Sequence, residues 1–270
     1  MTIYEAIHHL IEDIKASRPL IHHITNAVTI NDCANVTLAV GASPVMADDP
    51  QDAEEMTAHA EALVINMGTL SERTVQAMLV SGKVANKKGI PVIFDPVGVG
   101  ATSYRMEVAK ILLHSIRFSV IRGNSSEIRA LAGIESNGRG VDAGDSMEDV
   151  ATIAKHLAEQ HACIVAVTGQ KDVITDGRQL AEITGGHPML AQVSGTGCMT
   201  NSLIASACAV TKDHMSATIT GIALMNRAGE LGYARLQQNE GTGMFRVRLI
   251  DALSLMTKEA LQEGGTILVR

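Results

Sequence analysis

Apolar and polar positions follow two rhythms along this chain. Short, nearly continuous apolar runs at Leu20–Ile24, Ala62–Asn66, Pro91–Asp95, Phe118–Arg122 and Cys163–Thr168 predict buried strands. Between them, apolar residues at helical spacing predict helices over Ile3–Ala16, Ser71–Lys88, Ser103–Ser115 and Met147–Gln160. Strand and helix in alternation predict an α/β fold, with a mainly parallel central sheet and helices on both faces. Two later runs, Val173–Asp176 and Gln179–Ile183, flank Asp176-Gly177 and predict a β-hairpin. From Gly197 onward the chain reads as largely helical. No linker, low-complexity tract or repeat breaks the pattern, so residues 1–270 read as a single domain.

That architecture directs attention to one end of the sheet. In open parallel sheets, ligands bind outside the carboxyl ends of the strands. The segments that follow the strands here are Thr25-Asn26, Asn66-Met67-Gly68-Thr69, Asp95-Pro96-Val97-Gly98, Arg122-Gly123-Asn124 and Thr168-Gly169, with Gly195-Thr196-Gly197-Cys198 opening the helical part. One rim would gather all of them, and this convergence says more than any single member.

Composition narrows the function classes. Aromatic residues make up 2% of the chain and Trp is absent, so the core is aliphatic and a base-stacking surface has few rings to draw on. The net charge is −7 and no Lys/Arg cluster stands out, which disfavours nucleic acid as a partner. No apolar stretch is long enough for a transmembrane helix. Cys33, Cys163, Cys198 and Cys208 form no C-x-x-C pair, which fits free thiols in a reducing cytoplasm.

Four constellations could carry chemistry. In Val193-Ser194-Gly195-Thr196-Gly197-Cys198, residues without Cβ would let the backbone approach a ligand, and the following helix offers unpaired N–H groups. Together they would form an anion hole suited to a phosphoryl group; a plain glycine turn before a buried helix is the alternative. No G-K-[ST] follows, so this is not a Walker A loop. Asp95, at a strand end, could hold Mg²⁺ or cap the next turn. In Arg122–Ile128, Asn124 or Ser125 could cap the helix that Glu127 enters. Glu127 could serve only the helix dipole, or supply a second carboxylate near Mg²⁺ while Arg122 reaches a phosphate. Finally, His23–Asn35 runs on to Met46 with several Asn and Thr among apolar residues; they would cap a helix starting near Thr29 or face a bound heterocycle. His22-His23 lacks a spaced third ligand and is not read as a metal site.

Taken jointly and in order, these segments resemble hydroxyethylthiazole kinases over nearly the whole chain: Thr25-Asn26 through Gly41-Ala42-Ser43-Pro44-Val45-Met46, then Asn66–Thr69, Asp95–Gly98, Arg122–Asn124, Val167-Thr168-Gly169 and Gly195–Cys198. The resemblance implies a ribokinase-like fold and transfer of the γ-phosphate of ATP to 4-methyl-5-(2-hydroxyethyl)thiazole in thiamine salvage. It implies a homotrimer with thiazole sites at the subunit boundaries. On matching positions it places Met46, Asn26, Val28, Gly68, Thr69 and Gly195 on the thiazole side. Arg122 and Thr168 fall on the ATP side, with Gly197 of the anion hole, and Asp95 and Glu127 at Mg²⁺. Cys198 would sit at the reacting hydroxyl, where many ribokinase-like enzymes carry an Asp taken as general base. A helix N-terminus would lower a thiol's pKa from its ordinary value, so a thiolate at Cys198 is one expectation. Phosphoryl transfer needs little early deprotonation, so Cys198→Ser is expected to keep substantial activity and Cys198→Asp to be active. Rival readings are a hydroxymethylpyrimidine or pyridoxal kinase, a nicotinamide-hydrate dehydratase with Asp at position 198, and a non-catalytic binding protein. The Gly133–Ser146 loop is compatible with a lid over ATP and equally with a surface turn.

Overall fold

The structure, a computed structural model, describes residues 2–134 and 147–270, apart from the side chains of Met147 and Glu148. Most of the Gly133–Ser146 loop therefore lies outside the described residues. The chain begins with α1 (Ile3–Ser17), closed at its start by a capping box between Thr2 and Glu5. Its buried residues Ile7, Leu10, Ile11 and Ile14 recur at helical spacing and face the core. There follow β1 (Leu20–Ile24), α2 (Ile30–Ala39), β2 (Ser43–Met46), α3 (Pro50–His59), β3 (Ala62–Asn66), α4 (Glu72–Lys88), β4 (Val92–Asp95), α5 (Ser103–Ser115), β5 (Val120–Asn124) and α6 (Ser125–Leu131). The remainder comprises α7 (Met147–His161), β6 (Ile164–Thr168), β7 (Lys171–Thr175), β8 (Leu180–Thr184), a 3-10 turn at Pro188–Gln192, α8 (Thr196–Cys208), α9 (His214–Ala234), α10 (Thr242–Ser254), α11 (Lys258–Gln262) and β9 (Ile267–Val269).

Among the described residues the strands form one sheet in the order β2-β1-β3-β4-β5-β6-β7-β8-β9. Strands β1 to β6 run parallel; β7, β8 and β9 are antiparallel additions at one edge. The expected hairpin is β7–β8, with Thr175 opposite Leu180. The Asp176 carboxylate accepts the N–H groups of Arg178 and Gln179 in its turn. Two short strands were not expected from the pattern: β2, interrupted by Pro44, and β9, at the far end of the helical region.

Successive side chains of the parallel strands enter opposite cores, which is what a sheet covered on both faces requires. Val64, Ile93, Val120 and Ala166 join α1, α2, α8, α9 and α10 on one face. Leu63, Ile65, Phe94, Ile121 and Val165 join α3, α4, α5 and α7 on the other. The chain leaves β1 for α2 on the first face and leaves β3 for α4 on the second. Strand order reverses between these neighbours, so the loops part and open a crevice at the carboxyl ends of β1 and β3. The N-terminus of α8 points into this region from the first face.

Candidate active site

The crevice is closed by a network of side-chain amides. Asn26, just beyond β1, donates to Asn66 Oδ1 at 2.9 Å, and Asn66 donates to Asp95 Oδ2 at 2.5 Å. Both amides also point N–H groups at Cys198 Sγ, each at 3.3 Å. Asn66 Oδ1 accepts the Gly68 N–H as well, while Asn26 Oδ1 takes the N–H groups of Val28 and Thr29, and Thr69 Oγ1 takes that of Ala27. Three strand ends and the first turn of α8 are thereby tied into one arrangement. Asn26, Asn66 and Asp95 are almost fully buried, so each bond is made where water cannot substitute.

The glycines of the α8 approach have steric reasons. Gly195 is left-handed, with φ of 87°, and a Cβ there would collide with Thr29 Cγ2. A Cβ on Gly197 would lie 2.6 Å from Arg122 Nη1, so the guanidinium rests directly on the glycine backbone. Arg122 donates to Thr168 Oγ1, and its Nε is buried without a partner. A cation with an unspent donor beside a helix N-terminus is what an incoming phosphate would satisfy.

Glu127 is held by its own loop. Asn124 caps α6 and Glu127 Oε2 reaches back to the Asn124 N–H at 2.9 Å, forming a capping box. Glu127 Oε1 accepts the Gly98 N–H at 2.9 Å, which joins the loops after β4 and β5. The capping contacts therefore leave the carboxylate reading of Glu127 open, since each oxygen retains a second lone pair.

Burial pushes the Asp95 carboxyl up to about 6; Arg122 opposes this and Glu127 adds to it. Asn201 lies beside Asp95 and favours its ionised form, yet neither atom of its fully buried amide completes a hydrogen bond of normal geometry. Thr25 Oγ1 is likewise buried and unpartnered. The thiolate expectation for Cys198 is corrected: burial, then the charge of Asp95, pushes this thiol up to about 12. The α8 terminus does not outweigh the missing solvent, so Cys198 is a neutral thiol near pH 7.

The remaining expected residues fall on the same rim. Met46 ends β2 opposite His23, and Val28 stands 67% exposed at the crevice mouth. Among the described residues no three His, Cys, Asp or Glu side chains converge to cage a metal. The pair Asp95–Glu127 nonetheless fits Mg²⁺, which takes one or two carboxylates and completes its shell with water and phosphate oxygens. The like charges already strain each other at Asp95, a strain that a divalent cation relieves. The His22 ring bonds Thr57 Oγ1 and the Ala47 carbonyl; His23 bonds the Ile21 carbonyl and Ser202 Oγ. Burial lowers both, His23 to about 4, and leaves them neutral braces on opposite faces of β1.

Three side chains near the rim were missed as site candidates. Asn201 sits in α8 beyond the glycines. Asp172, in β7, accepts the Gly169 N–H and the Asn226 amide. Arg105, in α5, donates to carbonyls of two site loops. Asn201 stands in the polar triplet Thr200-Asn201-Ser202 and Asp172 follows Gln170-Lys171, so neither stood out from its neighbours, and Arg105 stands on a helix whose polar face gives no sign either.

Comparison with known proteins agrees with this geometry. The hydroxyethylthiazole kinase family model matches residues 11–259. A hydroxyethylthiazole kinase of Ruminiclostridium cellulolyticum is 48% identical, covering 96% of this chain and 95% of its own. One from Clostridium tetani is 44% identical over 99% of both chains. The solved hydroxyethylthiazole kinase of Pyrococcus horikoshii superposes with a TM-score of 0.89 at 34% identity, covering 98% of this chain and 99% of that one. A ribokinase-like superfamily protein of Enterococcus faecalis, at 13% identity and a TM-score of 0.63 over 88% of each chain, shares the fold alone. The chain belongs to the hydroxyethylthiazole kinase family, on a ribokinase-like fold.

Proposed function

We propose that this chain, a hydroxyethylthiazole kinase of the thiamine pathway, transfers the γ-phosphoryl group of ATP to the hydroxyethyl oxygen of 4-methyl-5-(2-hydroxyethyl)thiazole across the β1/β3 crevice. The observation that carries this reading is the meeting of Asp95, the Asn26–Asn66 amides and the glycine-opened N-terminus of α8 at Cys198. The thiazole lies on the Asn26, Val28, Met46, Gly68, Thr69 and Gly195 side. Arg122, Thr168 and Gly197 receive the phosphates. Mg²⁺, when bound at Asp95 and Glu127, neutralises charge on those phosphates. Catalysis then rests on positioning and on N–H groups aimed at the transferring oxygens, with Cys198 shaping the space for the alcohol. The whole chain works as one kinase domain.

The chain acts as a homotrimer with thiazole sites at its boundaries. Supporting this, Val28 and Ile30 are exposed apolar residues beside the crevice, and Leu38 is exposed farther along α2. Sedimentation should give the mass of three 28.5 kDa chains. A cytoplasmic setting fits the four free cysteines among the described residues, and no helix there is long and apolar enough to cross a membrane.

The deciding experiment is ADP release with ATP and Mg²⁺, offering hydroxyethylthiazole, hydroxymethylpyrimidine and pyridoxal in parallel. Release that depends on the thiazole alone is expected. Release with another alcohol in its place would overturn the substrate, and release with none would overturn the kinase reading.

A further inference from the structure

Arg105 is used by none of the chemistry above, yet it joins the two halves of the site. The Thr102 hydroxyl caps α5 by accepting the Arg105 N–H at 3.2 Å, which fixes where the side chain leaves the first turn. Its guanidinium then donates three hydrogen bonds, all to backbone carbonyls. Nη1 reaches Met67 O at 2.6 Å and Val97 O at 2.8 Å, and Nη2 reaches Gly68 O at 2.8 Å. Such bonds, charged on the donor side, are about twice as strong as neutral ones.

The two loops it grips have different duties. Met67 and Gly68 follow Asn66, the hub that bonds Asn26, Asp95 and the Gly68 N–H on the alcohol side. Val97 precedes Gly98, whose N–H holds Glu127 Oε1 on the phosphate side. Among the described residues the backbone itself links them by one bond, from Met67 N–H to Asp95 O at 3.1 Å, nearer the strand ends. All three acceptors of Arg105 are backbone carbonyls, so what it holds is the path of the two loops.

We propose that Arg105 is a positioning residue that fixes the loop after β3 against the loop after β4, and so sets the distance between the acceptor alcohol and the carboxylates Asp95 and Glu127. A flat guanidinium can hold three carbonyls at once; the compact ammonium of Lys cannot reproduce that fork. The catalytic part of the inference rests on the kinase reading; the loop coupling does not.

Two measurements separate them. In the ADP-release assay, Arg105→Met should lower kcat about a hundredfold, the scale of an ångström-sized misplacement. Arg105→Lys should recover only part of that loss. KM for ATP should change little in both variants, and the pH dependence of Arg105→Lys, which keeps the positive charge, should keep its wild-type shape. A residue that only stabilised the fold would lower Tm and leave kcat unchanged at temperatures where the variant is folded, which would overturn the proposal. Independently of any alcohol, hydrogen exchange at the Gly68 and Gly98 amides should accelerate together in Arg105→Met. Wild-type protection at both amides would overturn the coupling even if the enzyme proved to act on a different alcohol. A wild-type protein that releases no ADP with the thiazole, while both amides accelerate in the variant, would count against the kinase reading alone.

Discussion

The two sides of the rim are built from different chemistry. At the β1/β3 crevice the groups are neutral: two asparagine amides, a thiol and backbone N–H groups, joined by bonds between 2.8 and 3.3 Å. Around β4, β5 and β6 they are charged: Asp95, Arg122 and Glu127, with Thr168 as the neutral member. An uncharged alcohol needs shape and orientation, which the neutral side provides. A transferring phosphoryl group carries charge that must be met, and only the other side can meet it. Asp95 touches both sides, accepting from Asn66 while lying near Arg122 and Glu127, so it should be the least replaceable residue.

Asp95→Asn is therefore the largest expected break. Turnover should fall by about a thousandfold, the scale of losing a strong electrostatic contributor, and the Mg²⁺ needed for half-maximal rate should rise. An unchanged Mg²⁺ curve would remove Asp95 from the metal's shell. Stability of the ligand-free protein should move the other way. The folded carboxyl at about 6 lies above its unfolded value of 3.8, so the folded state binds the extra proton between those values. Stability then declines as pH rises from 3.8 through 6, and the full cost is present above 6. The variant lacks this loss and should exceed the wild type by about 3 kcal/mol at pH 7, the advantage fading toward pH 4. Urea unfolding at the two pH values checks this, and an equal gap at both would place the cost elsewhere.

Gly197→Val tests the charged side without removing a charge. Its Cβ would displace the Arg122 guanidinium, which lies only 2.6 Å from that position. KM for ATP should rise and kcat fall, together by about a hundredfold in kcat/KM, while KM for the alcohol holds. An equal loss for both substrates would show that the two sides are not separable at α8.

Why some of this could be read from sequence and some could not follows from where each residue stands. Parallel strands buried on both faces leave apolar runs, and β1, β3, β4, β5 and β6 were visible for that reason, to within about two residues at their ends. Strand β2 carries Pro44 and only half-buried side chains, and β9 is three residues long, so neither produces a run. Candidate site residues at strand ends could be named because the fold says where to look. Arg105 could not, since its function depends on which carbonyls pass within reach. The Cys198 thiol was misjudged for a related reason. Its place in the first turn of α8 is a sequence fact, whereas the burial that raises its pKa comes from three other segments folding over it.

Asn66→Ala probes the neutral side at its hub. It would strand Asp95 Oδ2, the Gly68 N–H and one donor of Asn26 together. Each buried group left without its partner costs about 1–3 kcal/mol, and relaxation should keep the total near the low end of their sum. KM for the alcohol should rise about tenfold, the effect of losing roughly 1.4 kcal/mol of orientation, with KM for ATP nearly unchanged. A larger effect on ATP than on the alcohol would reverse the assignment of the two sides.

The smallest effect is expected at Cys198, the residue whose position most invites a catalytic role. A thiol pushed up to about 12 is protonated throughout the working range, so it cannot begin the reaction as a base. It accepts N–H groups from Asn26 and Asn66, and a serine hydroxyl can accept the same two bonds at slightly shorter range. Cys198→Ser should therefore retain turnover within about tenfold, far from the 10²–10⁴-fold loss of an essential base. The wild-type rate should also show no rise between pH 8 and 10 that disappears in the variant. Such a rise, or a loss beyond about 10³-fold with thiazole binding intact, would mean that bound substrates lower the thiol pKa by several units. The neutral side of the rim would then hold a charge of its own, and the division between the two sides would fail at its centre.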